Sequence, residues 1–539
     1  MPSLRKLKVI LLERYKYPIL LFLGNKGTVQ FYKVNCEEES NYGFLQMCSV
    51  PDDEFLLNSE IQTRIKNRLE ELELELDEDI ADDTILMQGN TITEILSNME
   101  KKLTEIEIQS APIVEQILKL GSRKSSKIHS IKNIPDLKDI HSALVSLYTK
   151  TQNVEILLET ETNMAHCDTI VYFEAWIVKK RLKKLRKELE TITNGQCVIE
   201  LEKAKSDDAP TFIKRTPKFF EGFEILTYSL GFPRKKEINP TYIMAITFPI
   251  LFGIMFADVG HGIILFIVGI LLQIARKRVD IRKVGEIQRY LLYASGIITL
   301  CGISGIVWGF IFGEFFGPSG VLHPILVYQF GPFKIGGFDP AHEPLVMLRF
   351  TILVGVVFIT FSLILRVLNH LRRLEVGQAL ASICWIWFLL GGFIMWAYWG
   401  GISQITTWFG EGMPMLMGLV LAPLIIAILV MGKAEGLMEG VNYSVEVFIE
   451  SLGHTLSFCR LAALFLAHTA LSSMFLELGG VENGYFPPAS YFLVGLGTIL
   501  ILIIEGLIVF VHCLRLHWIE LFPKFYSAKG TPFQPLKIK

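Results

Sequence analysis

The chain has 539 residues, 51% of them hydrophobic and 20% charged, with a mean hydropathy of +0.41. That is too apolar for an ordinary soluble protein and too charged for one held wholly within a membrane. A net charge of −2 gives no electrostatic case for nucleic-acid binding, and Cys36, Cys48, Cys167, Cys197, Cys301, Cys384, Cys459 and Cys513 are scattered without a CxxC pair, which suggests neither a zinc site nor a disulfide framework.

The charged runs lie almost entirely before Pro240, and long apolar stretches follow. The pattern predicts a soluble N-terminal domain over 1–238 and a transmembrane domain over 239–539. The first residues, MPSLRKLKVILLERYKYP, make a poor signal peptide, so the soluble part is expected on the cytoplasmic side. Short β-like runs at 8–12 and 29–34 flank an expected turn over 24–27. Residues 52–120 are rich in Glu, Leu, Ile and Lys, with Ile61, Ile65, Leu69 and Leu72 at helical spacing, and a second helical stretch runs over 135–162. Charged helices with a narrow apolar stripe suggest an antiparallel coiled-coil hairpin over about 52–165. A compact helical bundle is the alternative. The α/β character is expected to return over 168–235: TIVYFEAWIV reads as a strand, and KKRLKKLRKELETI as a basic surface helix ending near Asn194-Gly195.

A spanning helix needs about 20 apolar residues. Residues 241–275 are too long for one span and awkward for two, and they are interrupted at Asp258-Val259-Gly260-His261-Gly262. Two short helices, 241–256 and 260–275, are expected, with the two glycines permitting a tight bend. Further spans are expected at 288–312, 346–369, 377–400, 414–432, 439–477 and 489–518, which makes eight. The loops after the second, fourth and sixth spans carry Arg276, Lys277, Arg278, Arg282, Lys283 and Arg289, then Arg366, Arg372 and Arg373, then Lys433. The opposite loops carry Lys334. This bias favours the eight-span count with both termini cytoplasmic.

The last two spans are expected to be long and tilted, and they carry the ionisable residues. The first holds Glu446, Glu450, His454, Arg460 and His468, and the second holds Glu505, His512, Arg515 and His517. Charges at membrane depth cost several kcal/mol unless they face water or a partner. Arg460 has no acidic residue within a helical turn. It can pair with Glu505 in the next helix, or stand as a fixed cation before a mobile carboxylate on another protein. Arginine suits the second role because it keeps its proton. Glu446 lies about 21 Å before Arg460 along an ideal helix and His468 about 12 Å after it. Glu505 and His512, seven apart, share a face. Titratable groups on both sides of a fixed cation fit two offset aqueous half-channels, or a polar stripe that holds two helices together.

The strings SLGHTLSFCRLAALFLAH and EGLIVFVHCLRLHWIELFPKFYSAKGTPFQPL resemble signatures of the V-type/A-type ATPase subunit a family, whose archaeal counterpart is subunit I. ITFPILFGIMFADVGHG and GFIFGEFFG are similar to further segments of that family. The resemblance implies an α-helical polytopic membrane domain with an N-terminal cytoplasmic α/β and coiled-coil arm. It implies a non-catalytic stator subunit of a rotary ATPase, forming proton half-channels against a rotating ring. By the same resemblance the proton path holds Arg460, Glu505, Arg515, His512, His468, Glu446 and His454. The implied partners are the proteolipid c-ring, peripheral-stalk subunits of E/G type, the central-stalk docking subunit of the membrane sector, and membrane lipid. No cofactor is implied, and the chain has no GxxxxGK[ST] loop for ATP chemistry. The membrane is the plasma membrane in an archaeal host and vacuolar or endomembrane in a eukaryotic one. The rival function is a secondary ion transporter binding substrate within its own bundle. That design calls for inverted repeats with matched broken helices, and one broken pair is visible.

Overall fold

A computed structural model describes residues 4–33, 46–47, 52–72, 74, 76, 91–120, 135–167, 169–203, 210–211, 216–234, 237–279, 284–324, 328–330, 333–335, 343–399, 408–481, 487–488 and 490–538. They form two compact units, Met1–Ile213 with Pro532–Lys539, and Lys214–Thr531.

In the first unit, strands β1 (Leu4–Leu12), β2 (Val29–Tyr32), β3 (Gln46–Met47), β4 (Ala165–Cys167), β5 (Ile170–Val178) and β6 (Cys197–Lys203) form one antiparallel sheet. β5 is central: β1 takes one edge, and β4 and β2 share the other. Strand alternation sorts the faces. Val9, Leu11, Phe173, Ala175 and Ile177 enter the helix-covered core, while Lys6 on the opposite face reaches Glu174 at 2.8 Å. The expected turn over 24–27 is instead the end of a helix, α1 (Lys16–Lys26), capped by Gly27 at φ 56°. Ile19, Leu20 and Leu23 repeat at helical spacing and are fully buried, and this outweighs the glycine at position 24. Ile538, from the chain's end, packs where a side chain at Gly24 would stand.

The described residues of 52–165 hold three helices, α2 (Asp52–Glu71), α3 (Ile92–Leu120) and α4 (Pro135–Glu161), where a hairpin expects two. The apolar face of α4 explains the difference. Leu137, Ile140, Leu144, Leu147, Val154, Leu157 and Leu158 are all buried, a stripe too wide for one partner helix. Together with Ile61, Ile65, Leu69, Leu96, Met99 and Leu103 they join the sheet's core. At the base, Lys16 pairs with buried Glu161, which also accepts a hydrogen bond from Tyr17 at 3.2 Å. Burial pulls the Lys16 pKa down, but the hydrogen bond and charge of Glu161 carry it up to about 12. The basic helix α5 (Lys179–Ile192) buries Leu185 and Leu189 and gives way to Asn194 and Gly195 at positive φ, as its sequence indicates.

The second unit begins before the expected boundary at 238. Its first helix, α6 (Glu221–Tyr228), buries Phe223 in the same core as the apolar helices that follow, and Gly296 fits against the Phe219 carbonyl. After α6 come α7 (Pro240–Met255), α8 (Val259–Arg278), α9 (Glu286–Phe312), α10 (Pro344–Arg373), α11 (Val376–Trp399) and α12 (Met413–Lys433). The C-terminal helices are α13 (Leu437–Ser457), α14 (Cys459–Leu478) and α15 (Ser490–Phe525). Counting Leu437–Leu478 as one, seven of these are long and apolar enough to cross a membrane, while α7 is apolar but has 16 residues.

The break before α8 is built by Asp258, whose carboxylate caps the helix by accepting from the His261 N–H at 2.9 Å. Gly260 and Gly262, expected to form the bend, lie inside α8 and serve close packing instead. A Cβ on Gly262 would stand 2.8 Å from the Ile306 nitrogen, and one on Gly260 would meet the Phe316 ring at 2.6 Å. α8 returns along α9, with Gly269 against Thr299, while Gly253 of α7 meets Ser304. α7 and α8 therefore pack along a shared neighbour, α9.

Candidate functional site

The helix expected to be continuous over 439–477 is interrupted at Phe458, which closes α13 and opens α14. Its ring is buried and lies where a side chain at Gly355 would stand. Arg460 projects from the first turn of α14. Its Nη2 stands 3.8 Å from Glu520 Oε1, and its Nη1 is buried without a hydrogen-bond partner among the described residues. Glu520 is also the ion-pair partner of His454 Nδ1. His454 Nε2 lies 3.8 Å from Glu450, whose carboxylate is 3.6 Å from the buried Lys524 ammonium. That ammonium also sits 4.2 Å over the Trp385 ring. Beyond this cluster, Glu446, exposed on α13, lines an open groove with Glu439, Asn442 and Glu450.

A second cluster lies further along α14. His468 is fully buried, with Nδ1 3.0 Å from Glu505 Oε2 and Nε2 4.0 Å from Asp258 Oδ2. The His261 ring centroid is 5.4 Å from that of His468, and the Phe256 ring covers the other side at 4.7 Å. Glu314, also buried, accepts from Thr469 at 2.9 Å, and its Oε2 has no hydrogen-bond partner among the described residues. Asp258 accepts from the backbone N–H groups of His261, Phe316 and Gly317. Donor atoms of Asp258, His261 and His468 lie within 4.8 Å of one another and could hold a metal ion.

The geometry thus puts titratable groups at two places along one helix pair, with a guanidinium that keeps its proton near the first. The family description "V-type ATPase 116kDa subunit family" matches residues 65–325 and 434–538, which include both clusters. The chain belongs to the V-type ATPase 116 kDa subunit family. Among its relatives, A-type ATP synthase subunit I of Methanocaldococcus jannaschii is 25% identical over 478 residues, covering 83% of this chain and 64% of the relative. A-type ATP synthase subunit I of Pyrococcus abyssi is 27% identical over 380 residues, covering 68% of this chain and 53% of the relative. V-type proton ATPase 116 kDa subunit a 2 of Bos taurus is 24% identical over 520 residues, covering 68% of this chain and 60% of the relative. The chain therefore spans between half and two-thirds of the length of these relatives. Its apolar helices and its relatives among membrane ATPase subunits make it an integral membrane protein.

In this 116 kDa-family chain, the seven residues expected on the proton path fall into three groups. His468 and Glu505 form a buried pair, so Glu505 does not neutralise Arg460 as the salt-bridge alternative expected. Arg460 and His454 meet at Glu520. Glu446 and Arg515 are exposed, and His512 is half-buried, with its Nδ1 unpartnered among the described residues. His517 is a structural tie, holding Thr247 at 2.8 Å through Nε2 and donating from Nδ1 to the Cys513 carbonyl at 2.7 Å.

Glu520, Lys524 and Glu314 were not picked out as site residues by sequence reasoning, and Asp258 was read as part of a turn. α15 contains π-helical turns at Ile501–Glu505 and Leu516–Leu521. Each widens the i→i+4 pattern to i→i+5, so the second alters the facing of Glu520 in a way an α-helical period does not anticipate. For Asp258, a signal was present: an Asp immediately before an apolar helix is an N-cap pattern.

Proposed function

We propose that the chain is the membrane stator subunit of a rotary ATPase and carries protons along two half-channels against a rotating ring of proteolipids. The observation that supports this best is the placement of Arg460. Its guanidinium has one loose carboxylate contact and one unpartnered nitrogen, and it lies between the His454–Glu520 pair and the His468–Glu505 pair along the same helices. A fixed cation there can meet an ionised carboxylate of the ring and block direct proton transfer between the two routes. On the cytoplasmic side, Glu446, Glu450 and His454 would carry the proton, and on the far side His468 and Glu505. His512 and Arg515 flank the cation on the last helix.

In this reading the chain itself holds no catalytic site, and ATP chemistry occurs on other subunits. Its ionic partners are the ring carboxylates. Its first unit, with charged faces such as the basic helix α5, binds peripheral-stalk helices of E/G type, and the membrane sector's central-stalk docking subunit sits nearby. Eight spans, with α7 as the first, put both termini in the cytoplasm. The test is Arg460→Lys and Arg460→Ala in the assembled complex. Both variants are expected to assemble and to lose ATP-driven proton uptake into vesicles. Lysine fails because it lacks the planar fork and loses its proton more readily when desolvated. Near wild-type uptake by Arg460→Ala would overturn the reading.

A further inference from the structure

We propose that Asp258, His261 and His468 form a binding site for one transition-metal dication, with Zn²⁺ the best match to the donors. Two imidazoles and a carboxylate are a common three-ligand zinc set, and imidazole suits this class of metal over Mg²⁺ or Ca²⁺. All three residues are buried, and their donor atoms lie within 4.8 Å of one another. Two donors each about 2.1 Å from one ion stand at most about 4.2 Å apart. The 4.0 Å separation of His468 Nε2 from Asp258 Oδ2 already meets that limit. The widest pair, within 4.8 Å, has to close by no more than about 0.6 Å on binding.

Three independent features aim these residues at a cation. First, His468 Nε2 is buried without a hydrogen-bond partner among the described residues, and buried His261 Nδ1 makes no hydrogen bond there but stands 3.2 Å from Asp258 Oδ1, a fellow donor of the site. Second, Glu505 sits on the other nitrogen of His468, at 3.0 Å. A carboxylate there keeps the proton on Nδ1 and leaves the Nε2 lone pair directed at the site, the arrangement that orients metal-bound histidines. Third, Asp258 uses three backbone N–H groups to hold its carboxylate in place, while an ionised carboxylate offers about four lone-pair sites. The remaining one is free to ligate. A cavity of about 10 Å³, close to the least space that holds one water, lies beside His261 and Ser472.

The consequence rests on the proton-path reading above: an ion on His468 Nε2 occupies the atom through which the His468–Glu505 pair would pass its proton, so the metal inhibits transport. Binding itself does not depend on that reading. The full chain, purified in detergent and stripped of metal, is titrated with Zn²⁺ and separately with Co²⁺. One saturable Zn²⁺ per chain is expected, with the visible absorption of four-coordinate Co²⁺. His261→Ala and His468→Ala are each expected to weaken Zn²⁺ at least tenfold. Glu505→Gln, which leaves the three ligands in place, is expected to weaken it about 10–100-fold. His323→Ala, an exposed histidine elsewhere, should change nothing. Should His468→Ala fail to fold, His261→Gln gives the same readout. Absence of saturable binding, or equal affinity in wild type, His261→Ala and His261→Gln, overturns the site. In the assembled complex Zn²⁺ should inhibit proton uptake, and His261→Ala should raise the inhibitory concentration at least tenfold. If binding follows the variants while uptake is indifferent to the metal, the site stands and the proton route through His468 falls.

Discussion

Two adjacent glycines in α11 give a test of the packing with a built-in control. A Cβ on Gly391 would stand 2.2 Å from the Leu419 carbonyl oxygen and 2.8 Å from its carbonyl carbon, whereas one on Gly392 meets nothing within 4 Å. Leu419 lies in the π-helical turn Met417–Leu421 of α12, so its carbonyl is backbone and cannot swing aside. Alanine at 391 therefore has to push α11 and α12 apart by roughly 1 Å, and gaps of about 0.5–1 Å forfeit a quarter to a half of each dispersion contact they open. Overpacking of this kind costs about 1–3 kcal/mol. Both substitutions gain the same helix propensity, about 0.8–1 kcal/mol, so their difference isolates the packing cost. Gly392→Ala is expected to melt at or above wild type, and Gly391→Ala about 1–3 kcal/mol lower than Gly392→Ala. At about 2–4 °C per kcal/mol in domains of 150–250 residues, this is resolvable by thermal unfolding in detergent. Equal melting of the two variants would refute the assigned α11–α12 contact.

The buried Lys16–Glu161 pair predicts that Glu161→Ala destabilises the first unit by about 3–5 kcal/mol, because it strands a buried ammonium. Replacing both, by Lys16→Met with Glu161→Leu, should recover most of that loss, as pulse proteolysis would show. The Lys16 pKa is raised from 10.5 to about 12, so the pair's stabilisation is fully present below pH 10.5 and is lost as the pH rises through about 12. The double variant should lack that alkaline transition. The eight-span topology predicts that single cysteines replacing exposed Val198 and Val279, in a cysteine-free background, react with an impermeant reagent from one side. A cysteine replacing exposed Val321 should react from the other side. Labelling of positions 198 and 279 from opposite sides would sink that count.

Much of the membrane fold was legible because hydropathy and chain breakers act locally. The break at Asp258 was visible as a charged interruption of an apolar run, and the structure turns there. The role of its neighbouring glycines was not, since it depends on which helix lies alongside. Gly262 is small because the Ile306 backbone is there, 44 positions later in the chain. The first unit shows the same division. The strand at 170–178 and the basic helix after it declare themselves by alternation and charge. The boundary at 238 misled because composition marks where charge ends, while Phe223, before that point, already belongs to the second unit's core.

For the site, sequence reasoning found the residues that are unusual where they stand and missed those that are unusual only in company. Arg460, His468 and Glu505 stand out as ionisable groups within apolar runs, and two of them prove to be partners. Glu520 and Lys524 lie near the end of the last apolar run, where charge is unremarkable. Yet Glu520 is 3% exposed, pairs with His454 and lies 3.8 Å from the Arg460 guanidinium. A surface-like address thus concealed a buried carboxylate beside the site. The π turn at Leu516–Leu521 contributes to this, because widening that one turn changes where Glu520 faces while the chain continues into Phe522 and Phe525, both buried in the bundle core. The same logic applies to Glu314, just beyond α9 and four residues after Phe310, which is 37% exposed. Sequence position places it in a loop, and the fold buries it against Thr469, beside the cluster that holds His468.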